Sequence, residues 1–338
     1  MKEESYVSGL KELVCPYDLG QMRKIAISGH VRPDGDCVGS CLGLCSYLLE
    51  HYPDHQVDVY LDPIPLEFNF LRYADKIRQM TEEDSKRSYD LCIALDCSDP
   101  DRLNQGRSIF ESAAHTLCID HHITNQGFGE TCIVCPESSS ASELLYYLLK
   151  QYYFGEGAIS CDCAQSLYMG IVHDTGVFKH SNTRWETMTA AGELISYGLN
   201  TEKIINDTFY KKTYIQNRLL GHALLESCLL LDGSMIYSCL SQRDFDRFSA
   251  TKADSDGIID QLRVTEGVHV AMLLTETEEG DYKISLRSDE LVDVSAIAAC
   301  YGGGGHIRAA GCTISADLSD IVSDISGKVA LQLSSDRE

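Results

Sequence analysis

Lys24-Ile25-Ala26-Ile27-Ser28-Gly29 runs directly into His30-Val31-Arg32-Pro33-Asp34-Gly35-Asp36. The first six residues are a short β-rich run. The next seven place three potential ligands on a loop shaped by one Pro and one Gly, and a helix pattern follows from about Val38 to His51. Working outward, Gln56 to Leu61 alternates like a strand. Asp90 to Asp96 (DLCIALD) and Thr116 to Asp120 (TLCID) are compact apolar runs of the kind buried in a parallel sheet. Helix patterns cover Ala141 to Tyr153 and Cys161 to Val172. Repeated βα units predict an α/β domain with a doubly wound, mainly parallel sheet over residues 1–210. Residues 211–227 read as a helical linker, with Tyr214 to Leu230 a long helix running into a strand. A smaller α+β domain over 228–338 follows. Its strands are Ser234 to Leu240, Val268 to Thr275 and Asp281 to Arg287, with a hairpin tip at Glu278 to Asp281. Its helices lie near Asp256 to Arg263, Val294 to Cys300 and Leu318 to Leu333.

The chain has 338 residues, 28 Lys and Arg against 51 Asp and Glu, and a net charge of −23. That charge excludes broad, non-specific binding of long nucleic acids, which runs on cationic contacts to phosphate. A small phosphate substrate stays allowed if metal ions or a local Arg cluster bring positive charge. No apolar run approaches the ~18 residues of a membrane span. Met1 to Ser5 is charged and no leader pattern follows, so a cytoplasmic protein is expected. Fifteen cysteines sit largely in apolar segments and are read as reduced, buried thiols. Cys132-x-x-Cys135 has no second pair to complete a zinc site.

The remaining acids and histidines fall where other elements end. DLCIALD ends in Asp96, TLCID runs into Asp120-His121-His122, and a helical run ends at His173-Asp174-Thr175-Gly176. Ligands of open parallel sheets bind beyond the carboxyl ends of the strands, so these segments should share one crevice. Asp34, Asp36, Asp96 and Asp174 with His30 and His121 form a hard donor set that suits Mn²⁺, with Mg²⁺ as the alternative. Six side chains exceed the needs of one open catalytic ion and match two, with one Asp bridging.

These motifs resemble the four-motif signature of the DHH phosphoesterases: His30-x-x-Pro33-Asp34-Gly35-Asp36, Asp96, Asp120-His121-His122 and Asp174-Thr175-Gly176. Gly302-Gly303-Gly304-Gly305-His306-x-x-Ala309-Ala310-Gly311 is similar to the glycine-rich motif of the DHH-associated domain. Lys283 to Ser288 is similar to that domain's substrate-facing strand. Chain length and domain content are similar to the nanoRNase and pAp-phosphatase (NrnA-like) branch. The resemblance implies one metal on His30, Asp34 and Asp96, and a second on Asp36, Asp96, His121 and Asp174. It implies His122 at the scissile phosphate as donor or acid, with Asp120 orienting the loop or an imidazole. Where the family more often has a small polar residue, this chain has His173, read as a neutral substitution.

Arg287 and His306 supply the cations the acidic first domain lacks, and Ser285 belongs to the same strand motif. Gly303, Gly304 and Gly305 let backbone approach a phosphate or base. The expected reaction is hydrolysis of very short RNA to mononucleotides, or of the 3′-phosphate of pAp, by two-metal hydroxide attack in an interdomain cleft. Cyclic or linear dinucleotides (c-di-AMP, pApA) are the alternative substrates. A catalytically silent nucleotide sensor and a pyrophosphatase rank lower. A homodimer is compatible with the sequence.

Overall fold

Lys24–Ser28 (β1), Gln56–Tyr60 (β2), Ile77–Arg78 (β3), Leu91–Leu95 (β4), His115–Asp120 (β5) and Thr131–Val134 (β6) form one sheet in the computed structural model. The structure describes residues 17–104, 106–153 and 159–335; the N-terminal stretch weighed above for a leader lies outside them. The sheet order is β3-β2-β1-β4-β5-β6, and every neighbouring pair is parallel. Leu91 to Leu95 is buried at every position, as a central parallel strand covered on both faces requires. Gly35–His51 (α1), Ala141–Leu148 (α3), Cys161–Asp174 (α4), Trp185–Ile195 (α5) and Thr201–Ile205 (α6) belong to this part of the chain, and Gly106–Ser112 (α2) contributes Ile109 and Phe110 to a smaller cluster with Ala26, Cys92 and Ala94.

Three local differences from the sequence reading have clear causes. Helix α1 begins at Gly35, earlier than Val38, because Asp34 Oδ1 accepts the backbone N–H groups of Asp36 and Cys37, each at 3.1 Å. The run expected to continue to Tyr153 leaves α-geometry after Leu148 and continues as a wider turn over Leu149–Tyr153. Short strands β3 and β6 were not anticipated, since edge strands of two and four residues carry almost no periodicity.

α1 and α4 pack with their backbones close together. A Cβ on Gly39 would lie 2.6 Å from Ser166 O and 2.9 Å from Gly170 N. Cys37, Cys41 and Cys45 line the buried side of α1 as small hydrophobes.

The chain divides after Lys211 into two units. The second contains Tyr214–Leu225 (α7), Cys228–Leu230 (β7), Met235–Leu240 (β8), Gln242–Phe248 (α8), Ile258–Arg263 (α9), Val270–Glu276 (β9), Tyr282–Ser288 (β10), Val294–Ala299 (α10), Gly304–His306 (β11), Ala309–Ile314 (β12) and Leu318–Ser335 (α11). Its sheet order is β11-β12-β10-β9-β8-β7. Only β8 and β9 pair in parallel, which requires the helical crossover that α8 and α9 provide. Alternation along β9 sends Val270, Met272 and Leu274 to one core, and Ala271 and Leu273 to another. α7, read as a linker, buries Leu219 and Ala223 in that second core. Each hydrophobic cluster draws its residues from one side of the Lys211–Lys212 division. No helix among the described residues is long and apolar enough to cross a membrane.

Candidate active site

The sheet order reverses between β1 and β4, since the chain steps outward from β1 to β2 in one direction and from β4 to β5 in the other. In open parallel sheets, ligands bind beyond the carboxyl ends of the strands that flank such a reversal. His30 sits just past β1, Asp96 directly follows β4, and His121 directly follows β5. Asp36 lies in the first turn of α1, and Asp174 is the last residue of α4.

These side chains converge on Asp96, which is 2% exposed. His30 Nε2 is 3.4 Å from Asp96 Oδ2 and 3.7 Å from Asp34 Oδ1. His121 Nε2 is 3.5 Å from Asp96 Oδ1, 3.5 Å from Asp174 Oδ2 and 3.9 Å from Asp36 Oδ2. Backbone carbonyls orient both rings. His30 Nδ1 donates to Val31 O at 2.8 Å and His121 Nδ1 to Ser138 O at 3.3 Å, so in each neutral ring the Nε2 lone pair faces the carboxylates. Asp36 accepts the backbone N–H groups of Ala141 (2.6 Å) and Ser142 (2.9 Å) at the start of α3. Asp96 adopts a left-handed backbone (φ 52°) and its Oδ1 is buried without a hydrogen bond.

The electrostatics of the cluster call for cations. Burial pushes Asp36 well above the ordinary carboxylate range, and the neighbouring Asp96 and Asp174 charges add to this. Burial likewise raises Asp174 to about 6. Burial opposes charge on His30, but Asp34 and Asp96 override it and raise the imidazole to about 12; His121, beside Asp96 and Asp36, is raised to about 10. Burial would lift Asp96 too, yet His121 and His30 hold its carboxyl below the usual range. Protons thus do the neutralising that divalent ions can do, and an orphaned buried carboxylate oxygen between two imidazole Nε2 atoms fits a metal site. Asp36, His121 and Asp174 form one group with mutually close ligand atoms; Asp96, His121 and His122 form another. A third joins His30 and Asp96 to Cys37. Burial raises the Cys37 thiol far above its ordinary value, which keeps it protonated and a poor ligand.

His122 Nδ1 lies 2.7 Å from Asp120 Oδ1 and 3.6 Å from Asp96 Oδ1. Asp120 is fully buried, and its other oxygen accepts Asn125 Nδ2 at 2.8 Å. Asn125 was missed from sequence; its place three residues beyond His122 on the same loop was the available signal. The backbone groups that hold Asp36 and His121 left no mark in residue identity.

His173 is turned into packing. Its ring meets Phe68 and Phe209 edge-on, and its Nε2 donates to Thr208 Oγ1 at 2.9 Å. Burial lowers its imidazole to about 4, below the 6.5 of an unfolded chain. The unfolded state therefore binds the extra proton first, and this residue's contribution is lost as pH falls from about 6.5 toward 4. Urea unfolding at pH 7 and pH 5 should show a stability difference smaller by about 2 kcal/mol in His173→Gln than in the wild type. Equal pH dependence in the two proteins would contradict this.

In the second unit, Lys283, Ser285 and Arg287 share one face of β10, and Ile284 and Leu286 point to the core. Arg287 and His306 are both in register with Ala309, while Ser285 and Gly304 are both in register with Gly311. Lys283, Ser285, Gly303 and Gly304 line an open groove of about 560 Å³. Arg287 Nε sits 3.3 Å from Asp260 Oδ1. The glycines divide their roles. A Cβ on Gly303 would collide with Gly311 O, whereas Gly304 has open space around it. Gly303 is thus required by β12, and Gly304 is free to meet a ligand.

A model of the DHH family N-terminal domain matches residues 24–171, and a DHHA1 domain model matches residues 232–330. Proteins named bifunctional oligoribonuclease and PAP phosphatase NrnA align from Bacillus subtilis (28% identity; 86% of this chain, 89% of that one) and Thermus thermophilus (30%; 86% and 84%). A protein named cyclic-di-AMP phosphodiesterase GdpP from Geobacillus thermodenitrificans aligns at 25% identity over 92% of this chain but 46% of its own length. The crystal structure of an exopolyphosphatase-related protein from Bacteroides fragilis superposes with a TM-score of 0.86 and 26% identity, covering 100% of both chains.

Proposed function

The chain belongs to the DHH family of phosphoesterases and carries its DHHA1 domain, and from that premise we propose that it hydrolyses very short oligoribonucleotides to mononucleotides and pAp to AMP and phosphate. As a member of this family it is a hydrolase of phosphodiester and phosphate ester bonds. The observation that carries the catalytic reading is the gathering of His30 and His121, with Asp34, Asp36 and Asp174 against their rings, around Asp96, whose Oδ1 is buried without a hydrogen bond. We assign His30, Asp34 and Asp96 to one divalent ion, and Asp36, Asp96, His121 and Asp174 to a second. Mn²⁺, or alternatively Mg²⁺, would polarise the phosphate and acidify an attacking water there.

The chain's own groups do the rest. Asp34 serves twice, since its Oδ1 also caps α1 and so fixes the first turn that carries Asp36. His122 is assigned the scissile phosphate, with Asp120 holding its Nδ1 proton so that Nε2 is the atom presented to substrate. Arg287, Ser285, Gly303, Gly304, Gly305 and His306 are assigned the nucleotide; the guanidinium suits a phosphate and Gly304 admits a base or ribose. The net charge of −23 supports capture of short substrates and disfavours tracking along long strands.

Relatives that match this chain along 84–89% of their own length carry the oligoribonuclease and PAP phosphatase name, which supports that substrate class over cyclic dinucleotides. A substrate panel tests it: dinucleotides to pentanucleotides, pAp, pApA, c-di-AMP and pyrophosphate, each with Mn²⁺ and with chelator. We expect mononucleotides from the RNAs and AMP from pAp, abolished by chelation and restored by Mn²⁺. Preferred turnover of c-di-AMP or pApA would move the assignment to dinucleotide messengers. Tight nucleotide binding without any turnover would make the chain a sensor.

A further inference from the structure

Cys118 on β5 and Cys132 on β6 face each other in register across adjacent parallel strands, close enough for each thiol to shift the other's titration. Neighbouring strands lie ~4.8 Å apart, inside the ~4.4–6.8 Å Cα separation that a disulfide accepts. The two sulfurs are unequal. Cys118 is fully buried, while Cys132 is partly exposed. The Cys118 thiol, against the opposing effect of burial and with help from the Phe128 backbone, lowers Cys132 to about 7. A partly exposed thiol of lowered pKa beside a buried resolving thiol is the arrangement that peroxides oxidise selectively.

Asn125 ties this pair to the catalytic loop. Its Nδ2 lies 3.5 Å from Cys118 Sγ, 3.1 Å from Cys97 O and 2.8 Å from Asp120 Oδ2. Asp120 Oδ1 in turn holds His122 Nδ1 at 2.7 Å. One amide therefore touches both the buried sulfur and the carboxylate that orients His122.

We propose that Cys118 and Cys132 form a peroxide-oxidised dithiol, and that Asn125 transmits its state to His122. The Cys132 thiolate attacks one oxygen of hydrogen peroxide or an organic hydroperoxide. The O–O bond breaks, hydroxide or alkoxide leaves, and Cys132 becomes a sulfenic acid. Cys118 sulfur then attacks the sulfenic sulfur; the S–S bond forms, the S–O bond breaks, and the Cys118 proton departs with that oxygen as water. The sulfurs lose two electrons in total, which reduce the peroxide; a dithiol reductant reverses the change. Formation of the bond draws Cys118 Sγ toward β6 and away from Asn125, freeing its amide to shift on Asp120.

The test uses the full chain treated with hydrogen peroxide, alkylated with iodoacetamide and mapped by mass spectrometry. A Cys118–Cys132 linked peptide that dithiothreitol abolishes is expected. With it, kcat should fall on the order of 10-fold at unchanged KM and metal content, the scale of losing a group that orients a catalytic imidazole. Cys132→Ser should form no such link and should keep its kcat under the same peroxide. Peroxide treatment that leaves both cysteines open to alkylation would overturn the dithiol. A link that leaves kcat unchanged would overturn the coupling. The kcat readout rests on the role proposed for His122, whereas the link itself does not, so failure of either is distinguishable.

Discussion

An Asp96→Asn chain is expected to lose hydrolysis of every substrate by about 10³-fold or more. Asp96 is where His30, His121 and His122 all point, and it is the one carboxylate common to both proposed ions. Asparagine tolerates the left-handed backbone at this position and keeps the side-chain shape, so the change removes charge and little else. Two measurements separate chemistry from folding. Circular dichroism should be unchanged, and the rise in Tm that Mn²⁺ gives the wild type should disappear, because a ligand stabilises only the fold that binds it. Substantial turnover in the variant would refute the shared-carboxylate assignment, whatever the fate of the substrate assignment.

Gly170→Ala is expected to lower both stability and activity, and Gly192→Ala to do neither. A Cβ on Gly170 would collide with Ser142 Oγ and would stand 2.9 Å from Asp36 Oδ1. Asp36 cannot give way freely, since Ala141 and Ser142 N–H groups hold both its oxygens. Overpacking of this kind costs about 3 kcal/mol, and the better helix propensity of alanine offsets up to about 1 kcal/mol. The net loss of about 2 kcal/mol corresponds to a Tm lower by roughly 4–8 °C for a unit of this size, with turnover reduced as Asp36 shifts. Gly192, on α5, has nothing within 4 Å of its would-be Cβ. There the propensity gain acts alone, so the same substitution should stabilise slightly. Thermal melts of the two variants settle the matter, and equal shifts would show that the packing around Gly170 is not restrictive.

Much of the fold was legible because its central strands are apolar and its helices amphipathic. The apolar runs ending at Leu95 and Asp120 read correctly from sequence because burial on both faces leaves a compositional trace. β11 did not read as a strand, because Gly304-Gly305-His306 pairs with β12 through backbone groups that any residue carries. The candidate site shows the same division. His30, Asp34, Asp36, Asp96, His121 and Asp174 were visible as acids and imidazoles at element ends. The carbonyls of Val31 and Ser138 and the N–H groups of Ala141 and Ser142, which aim them, were not. Asp34 illustrates the limit: a cap and a ligand call for the same residue type, and the structure uses it as a cap whatever it binds.

Apolar clusters confined to either side of residue 211 mean that heating this chain has no obligation to produce one cooperative event. A single melting temperature then conflates two thermodynamic objects. On the proposed assignment, metal would shift the melting of the half that contains Asp96 and nucleotide that of the half that contains Arg287, each leaving its own mark on the calorimetric trace.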